Sequence, residues 1–239
     1  MKELLIIIPA YNEEKSIERV VKNITMNFPQ YDYVIVNDGS KDKTGKVCRK
    51  NHFNYIDLPV NLGLAGAFQT GLKYAYRQGY EYALQYDGDG QHKVEYVDKL
   101  LKEMKNGSDI VIGSRFVEKK KPATLRMLGS RLISGAIWLT TGKHIKDPTS
   151  GMRMYNRALL KECAVNLNYG PEPDTISYLI KQGVKITEVQ VEMDERLEGE
   201  SYLNFSRSMA YMLRMVISIL FVQSFRKRDK KYVKADDNK

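Results

Sequence analysis

Two carboxylates in one tight turn, Asp87 and Asp89 of Asp87-Gly88-Asp89-Gly90-Gln91-His92, are the residues of this chain best suited to chemistry. They follow directly on a strand-like stretch, Tyr80 to Tyr86, so both stand at a strand end. Paired carboxylates so placed suit a hard divalent cation that keeps some waters and shares its remaining positions with substrate phosphates. Asp and Gly are also what any tight turn prefers, so the run taken alone reads equally as a solvated turn.

The elements that must position this turn alternate in type. Leu4-Leu5-Ile6-Ile7-Ile8 is a continuous apolar run ended by Pro9, the pattern of a strand buried on both faces. Tyr11-Asn12-Glu13-Glu14 opens a helix whose apolar residues Ile17, Val20, Val21 and Ile24 keep helical spacing. A second strand, Tyr33 to Val36, stops at Asn37-Asp38-Gly39-Ser40, and Ser40 or Asp42 is placed to cap a helix running to Lys50. A short third strand spans Tyr55 to Leu58, and Asn61-Leu62-Gly63-Leu64-Ala65-Gly66-Ala67 is a glycine-spaced entry to a helix reaching Gln78. Strand and helix in alternation predict a parallel α/β sheet, whose sites form outside the carboxyl ends of the strands. Pro9 to Glu13, Asp38 to Ser40, Asn61 to Gly66 and Asp87 to Gln91 all fall on that edge, a convergence more telling than any one motif.

Together PAYNEE (9–14), VNDGSKDKT (36–44), NLGLAGAFQTG (61–71) and DGDGQH (87–92) resemble a family 2 glycosyltransferase of the GT-A fold. Within that family the chain is most similar to the dolichyl-phosphate mannose synthase group, which loads a sugar onto a polyprenyl phosphate. The likeness continues in order through Gly113-Ser114-Arg115-Phe116, Asp147 to Arg153, Glu188-Val189-Gln190-Val191 and Arg196-Leu197-Glu198-Gly199-Glu200-Ser201, covering residues 4 to 205. It implies an α/β fold, a Rossmann-like, mostly parallel sheet flanked by helices, with a catalytic domain over residues 1–202. A C-terminal segment, 203–239, would carry an amphipathic or membrane-associated helix.

The resemblance also implies a site. Pro9, Ala10, Tyr11, Glu13, Asp38 and the loop at Gly66 would contact the base and ribose of a nucleotide-sugar, and Asp89, helped by Asp87 and Gln91, would hold Mg2+ or Mn2+ against its diphosphate. For Asp38 the alternative is an Asx-turn; for Tyr11 and Glu13 it is a packed ring and a first-turn acid. A polyprenyl phosphate is already anionic, so it attacks the anomeric carbon without a base but needs cations to hold it, whereas a sugar hydroxyl needs a carboxylate to take its proton. Arg115, Arg131, Ser134 and Arg153 supply a candidate phosphate cradle. The lipid-phosphate enzymes carry an Arg four residues before the Ser that Ser134 matches; here that position is Ser130, with Arg126 and Arg131 nearby. Asp174 fits two roles. It matches a Glu of the lipid-phosphate enzymes, fourteen residues before Glu188, and it is also placed to be the base of an enzyme acting on a hydroxyl. Capping the helix 175–181 is its structural alternative, and a turn before Pro148 is that of Asp147, which otherwise shapes the acceptor loop. In the family the loop from Arg196 to Ser201 closes over the donor, so Asp89, Arg115, Asp174 and Arg196 are the expected catalytic set.

The 239 residues, 43% hydrophobic and 28% charged, suffice for one globular domain with a sizeable core. Two cysteines far apart, Cys48 and Cys163, predict neither a disulfide framework nor a zinc site, and the first apolar run is too short for a signal peptide. A formal charge of +9 requires an anionic partner or surface. Basic residues cluster at Lys119-Lys120-Lys121, from Arg126 to Arg131 and from Arg226 to Lys231, without a nucleic-acid recognition motif. An anionic membrane matches better, each Lys or Arg near such a surface contributing about 1 kcal/mol. Met209 to Phe225 is largely apolar, but Arg207, Tyr211, Arg214 and Ser218 fall on one helical stripe. As a helix this segment is roughly 25 Å long, short of the ~30 Å hydrocarbon core. It therefore predicts a helix lying in the membrane interface, followed by a polybasic tail. Packing on the catalytic domain, on a second copy of the chain or on a small membrane protein is the alternative.

The expectation is an inverting, metal-dependent transfer of one sugar from a nucleotide-sugar to a polyprenyl phosphate by a peripheral protein at the cytoplasmic membrane face, serving cell wall polysaccharide synthesis. A UDP-sugar is favoured over GDP-mannose, and undecaprenyl phosphate over other lipids. The rival expectations are transfer to a hydroxyl of a cell-surface glycan with Asp174 as base, and a non-catalytic nucleotide-sugar-binding membrane scaffold. Asp87, Asp89, Arg153 and Arg196 together stand against the scaffold, which has no use for a metal site and a diphosphate clamp.

Overall fold

Strands β1 (Lys2–Ala10), β2 (Asp32–Asn37), β3 (Tyr55–Asp57), β4 (Tyr80–Gln85), β5 (Ile110–Ser114), β6 (Arg153–Asn156) and β7 (Ile186–Gln190) form one sheet in the computed structural model, which describes residues 2–165, 170–194 and 205–226. Their order is β3-β2-β1-β4-β6-β5-β7, and all run parallel except β6, which is antiparallel to both its neighbours. Helices α1 (Ile17–Asn27), α2 (Thr44–Lys50) and α4 (Val97–Lys105) cover one face. The other face carries α3 (Gly63–Arg77), α5 (Leu125–Thr141), α6 (Arg157–Val165), α7 (Pro173–Lys181) and α8 (Phe205–Ile217).

The apolar run of β1 is continuous because both faces are covered. Leu5 and Ile7 point into the core beneath α3, and Leu4, Ile6 and Ile8 into the core beneath α1 and α4. The first helix begins later than Tyr11-Asn12-Glu13-Glu14 predicts, at Ile17, since Asn12 takes a left-handed φ of 57° that no right-handed helix accommodates. Of the two capping candidates before α2, Asp42 accepts the Thr44 amide (2.9 Å), while the Ser40 hydroxyl accepts that of Asn12 (2.9 Å).

Antiparallel β6 matters for the site. Arg153, its first residue, pairs with Gln85 at the end of β4 and with Ile112 of β5, so the loop 147–152 before it arrives at the same edge as the turn after β4.

The C-terminal segment is docked on the domain. Met212, Met215 and Ile219 are buried, and α8 approaches α5 so closely at Gly129 that an added Cβ would overlap the Met212 sulfur. Past α8 the chain makes a π-helical turn, Ser218–Val222, and a last helical turn, Gln223–Phe225. Two residues of the predicted polar stripe face inward. The Tyr211 hydroxyl donates to Glu172 and Ser218 Oγ to Asp174 Oδ2 (2.7 Å), because beside α7 these groups find acceptors that a lipid interface would not supply. Leu213, Ile217, Phe221 and Phe225 face outward instead. No described helix is long and apolar enough to cross a membrane. Cys48 and Cys163 are both buried and free, and burial pushes their thiols up to about 11 and about 12.

Candidate active site

Three loops at the carboxyl edge are laced together on the donor side. The Asn12 side chain accepts the Lys41 amide (2.9 Å), the Glu13 amide donates to Thr44 Oγ1 (2.9 Å), and the Glu14 amide donates to Asp42 (3.1 Å), which joins the loop after β1 to that after β2. Asp38, 3% exposed, donates its amide to the carbonyl of Ala10 (2.8 Å) and accepts the Leu62 amide on Oδ1 (2.7 Å), fixing the third loop as well. Gly39 has φ +62°, and a Cβ there would lie 2.6 Å from the Val60 carbonyl carbon, so the turn needs glycine. Pro9, Ala10 and Tyr11 line this edge as the sequence predicts. The Glu13 carboxylate accepts the Ser16 hydroxyl (2.6 Å), the helix-start role that was its alternative, and Gly66 leaves room for the Leu62 side chain.

The two carboxylates after β4 stand at the middle of the edge, both half-buried. The Asp87 amide donates to His92 Nδ1 (2.9 Å), which leaves Nε2 as the imidazole nitrogen facing Asp87 Oδ2 (3.3 Å). His92 is buried, so it orients Asp87 from below. A Cβ on Gly151 would come within 2.9 Å of Asp87 Oδ2, and one on Gly88 within 3.1 Å of the Pro9 carbonyl; both glycines admit the turn into its crowded place. Asp89 Oδ1 accepts the Gln91 amide (3.1 Å), and Gln91 Nε2 donates to the Asp194 carbonyl (3.4 Å). Burial pushes the Tyr86 phenol up, and the charges of Asp87, Glu95, Asp194 and Asp89 act in the same direction. Among the described residues no three His, Cys, Asp or Glu side chains gather as a closed metal cage. Two carboxylates and an amide oxygen in a negative field nevertheless fit Mg2+ or Mn2+, which take oxygen donors and leave positions for water and phosphate.

On the other side of Asp87 the site turns basic. Arg115 follows β5 and forks onto Asp147, with Nε to Oδ2 at 2.7 Å and Nη2 to Oδ1 at 2.9 Å; its amide also reaches Oδ2 (3.2 Å). Asp147 is fully buried. Burial opposes its charge, but the Arg115 hydrogen bonds and charge prevail and hold its carboxyl below the usual range. Glu188 accepts the amides of Lys146 (2.6 Å) and Asp147 (2.7 Å), and Gln190 Nε2 donates to the Arg115 carbonyl (3.1 Å), so β7 braces both partners. Arg153, 1% exposed, donates to the carbonyls of Ser150 (2.9 Å) and Pro148 (2.6 Å). It shapes the turn that presents Asp147 from inside, rather than lining the surface of a cradle as predicted, and its Nη1 has no protein acceptor among the described residues.

Lys121 Nζ donates to Ser130 Oγ (2.9 Å) and Ser134 Oγ (3.2 Å), while Arg131 Nη2 donates to the Lys121 carbonyl (2.7 Å). The run Lys119-Lys120-Lys121 is therefore not one surface patch. Lys119 pairs with Glu192 (2.6 Å), and Lys121 turns inward. Asp174 accepts Ser218 (2.7 Å) and Gln223 (3.2 Å) on Oδ2 and the Thr175 amide (2.8 Å) on Oδ1, inside α7 rather than before it. Oδ2 thus fastens the C-terminal segment, and Oδ1 is taken up by the first turn of α7. Arg196 lies outside the described residues. Sequence reasoning missed the bracing roles of His92, Glu188 and Gln190 and the inward turn of Lys121; the first three stood in recognised motifs, but only partners distant in sequence reveal what they hold.

The chain matches the family model "Glycosyl transferase family 2" over residues 5–164. It is 35% identical over 182 residues to a UDP-N-acetylglucosamine–dolichyl-phosphate N-acetylglucosaminyltransferase of Methanococcus voltae, covering 67% of this chain and 72% of that protein. It is 27% identical over 224 residues to the polyprenol monophosphomannose synthase of Mycolicibacterium smegmatis, covering 88% and 84%. Among solved structures, glucosyl-3-phosphoglycerate synthase from Mycobacterium tuberculosis in complex with Mn2+, UDP and phosphoglyceric acid superposes with a TM-score of 0.66 at 19% identity, covering 95% of this chain and 80% of that one. That likeness speaks for the fold.

Proposed function

Because this chain belongs to glycosyltransferase family 2, and groups there with the polyprenyl-phosphate enzymes, we propose that it transfers one sugar from a nucleotide-sugar to a polyprenyl phosphate with inversion at the anomeric carbon. The observation that carries the reading is the acceptor side of the site. It offers a desolvated guanidinium, Arg115, beside Lys121, Arg131 and two serine hydroxyls, while Asp174, the carboxylate best placed to be a base, is engaged on both oxygens. Such a site suits a nucleophile that arrives already charged.

In this reading Asp38 and the three laced loops hold the nucleoside, and Asp87, Asp89 and Gln91 hold the divalent cation. When bound, that cation neutralises charge on the diphosphate leaving group. Arg115, oriented by Asp147, holds the acceptor phosphate. A phosphate oxygen forms the new bond to the anomeric carbon as the bond to the donor diphosphate breaks on the opposite face, and no proton moves. A UDP-sugar is the favoured donor and undecaprenyl phosphate the favoured lipid.

The lipid requires a membrane surface, and the outward residues of α8 and α5 suit one. Leu213, Ile217, Phe221 and Phe225 repeat every fourth residue, and Leu128, Leu132 and Leu139 of neighbouring α5 are also exposed. We place this face against the cytoplasmic leaflet, where the basic segment after Phe225 adds attraction to anionic lipid.

The test is transfer from radiolabelled UDP- and GDP-sugars into an organic-extractable product, with purified protein, undecaprenyl phosphate and Mn2+ or Mg2+. A single donor giving an acid-labile lipid product, lost in chelator, supports the reading. Donor binding without a lipid product under any donor would overturn it in favour of a hydroxyl acceptor.

A further inference from the structure

Among the described residues of the acceptor side, Lys121 stands in surroundings that are wrong for an ordinary structural lysine. It lies half-buried between β5 and α5, and its ammonium contacts two neutral hydroxyls, Ser130 and Ser134, one helical turn apart. Among the described residues it has no carboxylate within ion-pair distance. The nearby acids are spent elsewhere, Asp147 on Arg115 and Glu188 on the backbone of Lys146 and Asp147. Two further cations share its surroundings with those acids. Arg115 and Lys121 approach the same Phe116 ring, at 5.1 and 5.6 Å from its centroid, and Arg131 grips the Lys121 carbonyl.

Burial makes the ammonium lose protons more readily than an ordinary lysine, and the charges of Asp147 and Glu188, partly countered by Arg115 and Arg131, do not make up for it. A partly desolvated cation whose contacts are hydroxyls, with no carboxylate at ion-pair distance among the described residues, is a site short of an anion. The hydroxyls hold the ammonium in place without neutralising it, and its third proton is left for a ligand.

We propose that Lys121 binds the phosphate of the acceptor directly, together with Arg115 near the Phe116 ring, with Ser130 and Ser134 keeping its ammonium aimed when the lipid is absent. The inference rests on the polyprenyl-phosphate reading above. It assigns the cation on this side of the cradle to the loop before α5 rather than to the helix itself.

The experiment measures KM for undecaprenyl phosphate, and separately the Kd for UDP with Mn2+, in wild type and in Lys121→Met and Lys121→Arg, with thermal midpoints as a folding control. Loss of a charged hydrogen bond predicts a rise in KM of roughly 10- to 100-fold for Lys121→Met. Lys121→Arg recovers part of it, and nucleotide binding stays unchanged in both. If the lipid KM is unmoved in a folded Lys121→Met protein, the assignment to Lys121 is refuted while lipid-phosphate transfer stands. A weakened nucleotide Kd with normal lipid KM also refutes it, and gives the cation to the donor diphosphate. Wild type that makes no lipid-linked product overturns both readings together.

Discussion

Asp147→Asn tests the foundation of the acceptor side. The carboxylate has no exposure, and the Arg115 side chain retains 27%, so the substitution leaves a largely desolvated guanidinium facing a neutral amide. Breaking a buried ion pair from one side costs about 3–5 kcal/mol. Partial solvation of Arg115 and the surviving amide oxygen bring this to about 2–4 kcal/mol. For a chain of this size that is a fall in Tm of roughly 5 to 15 °C. The effect also depends on pH. Because the folded carboxyl is held below its unfolded value, the pair's contribution is complete above the unfolded carboxylate range, about pH 4, and fades as pH falls through the lower folded value. Urea unfolding at pH 7 and pH 3 should therefore show a wild-type advantage that is large at pH 7 and smaller at pH 3. A variant within ~0.5 kcal/mol of wild type at pH 7 would refute the claim that this pair is desolvated and orienting.

Three further outcomes are expected. Asp174→Asn should lower the thermal midpoint by a few degrees, through weakened bonds to Ser218 and Gln223 worth about 1–2 kcal/mol, and leave turnover within about tenfold; a loss of about 100-fold or more with the fold intact would make Asp174 a general base. Asp89→Ala should abolish metal-dependent binding of UDP and reduce turnover by roughly 1,000-fold while circular dichroism is unchanged, and retained metal-dependent UDP binding would remove Asp89 from the cation site. Phe221→Ser with Phe225→Ser should cut co-sedimentation with anionic vesicles by roughly tenfold or more, since each buried aromatic contributes about 1.5–3 kcal/mol; unchanged binding would leave this face without its assigned role.

The first half of the sheet was legible because each strand there is a local event. An apolar run, a polar stop and an amphipathic helix repeat in order from β1 to β4, and the stops mark the functional edge by themselves. Reading fails where the structure depends on distant partners. Arg153-Met154-Tyr155-Asn156 has no strand pattern of its own, and only its place between β4 and β5 makes it a strand and turns Arg153 inward. The stripe of Tyr211 and Ser218 was visible, but its direction depends on Glu172 and Asp174, some forty residues away. Lys121 was hidden in a run of three lysines for the same reason, since nothing local says which of them meets Ser130 and Ser134.

The two ends of the edge present different charged groups, Asp87 and Asp89 at one and Arg115 and Lys121 at the other, and the proposed reaction assigns a different anion to each. At Asp87 and Asp89 two carboxylates share one turn, and their charges add to the burial that raises the Tyr86 phenol, so a nucleoside diphosphate entering there would meet repulsion unless a cation accompanied it. Around Lys121 it is burial that disfavours the ammonium, whose contacts are two neutral hydroxyls, so an anion entering there would supply the charged partner that the described residues do not. In the proposed reaction a phosphate monoester would be drawn toward Arg115 and Lys121, and the diphosphate would be held with a cation at Asp87 and Asp89, which puts the anomeric carbon between the two ends. The acceptor of that proposed reaction attacks from the end of Arg115 and Lys121 and the diphosphate leaves toward Asp87 and Asp89, opposite directions that match a transfer with inversion.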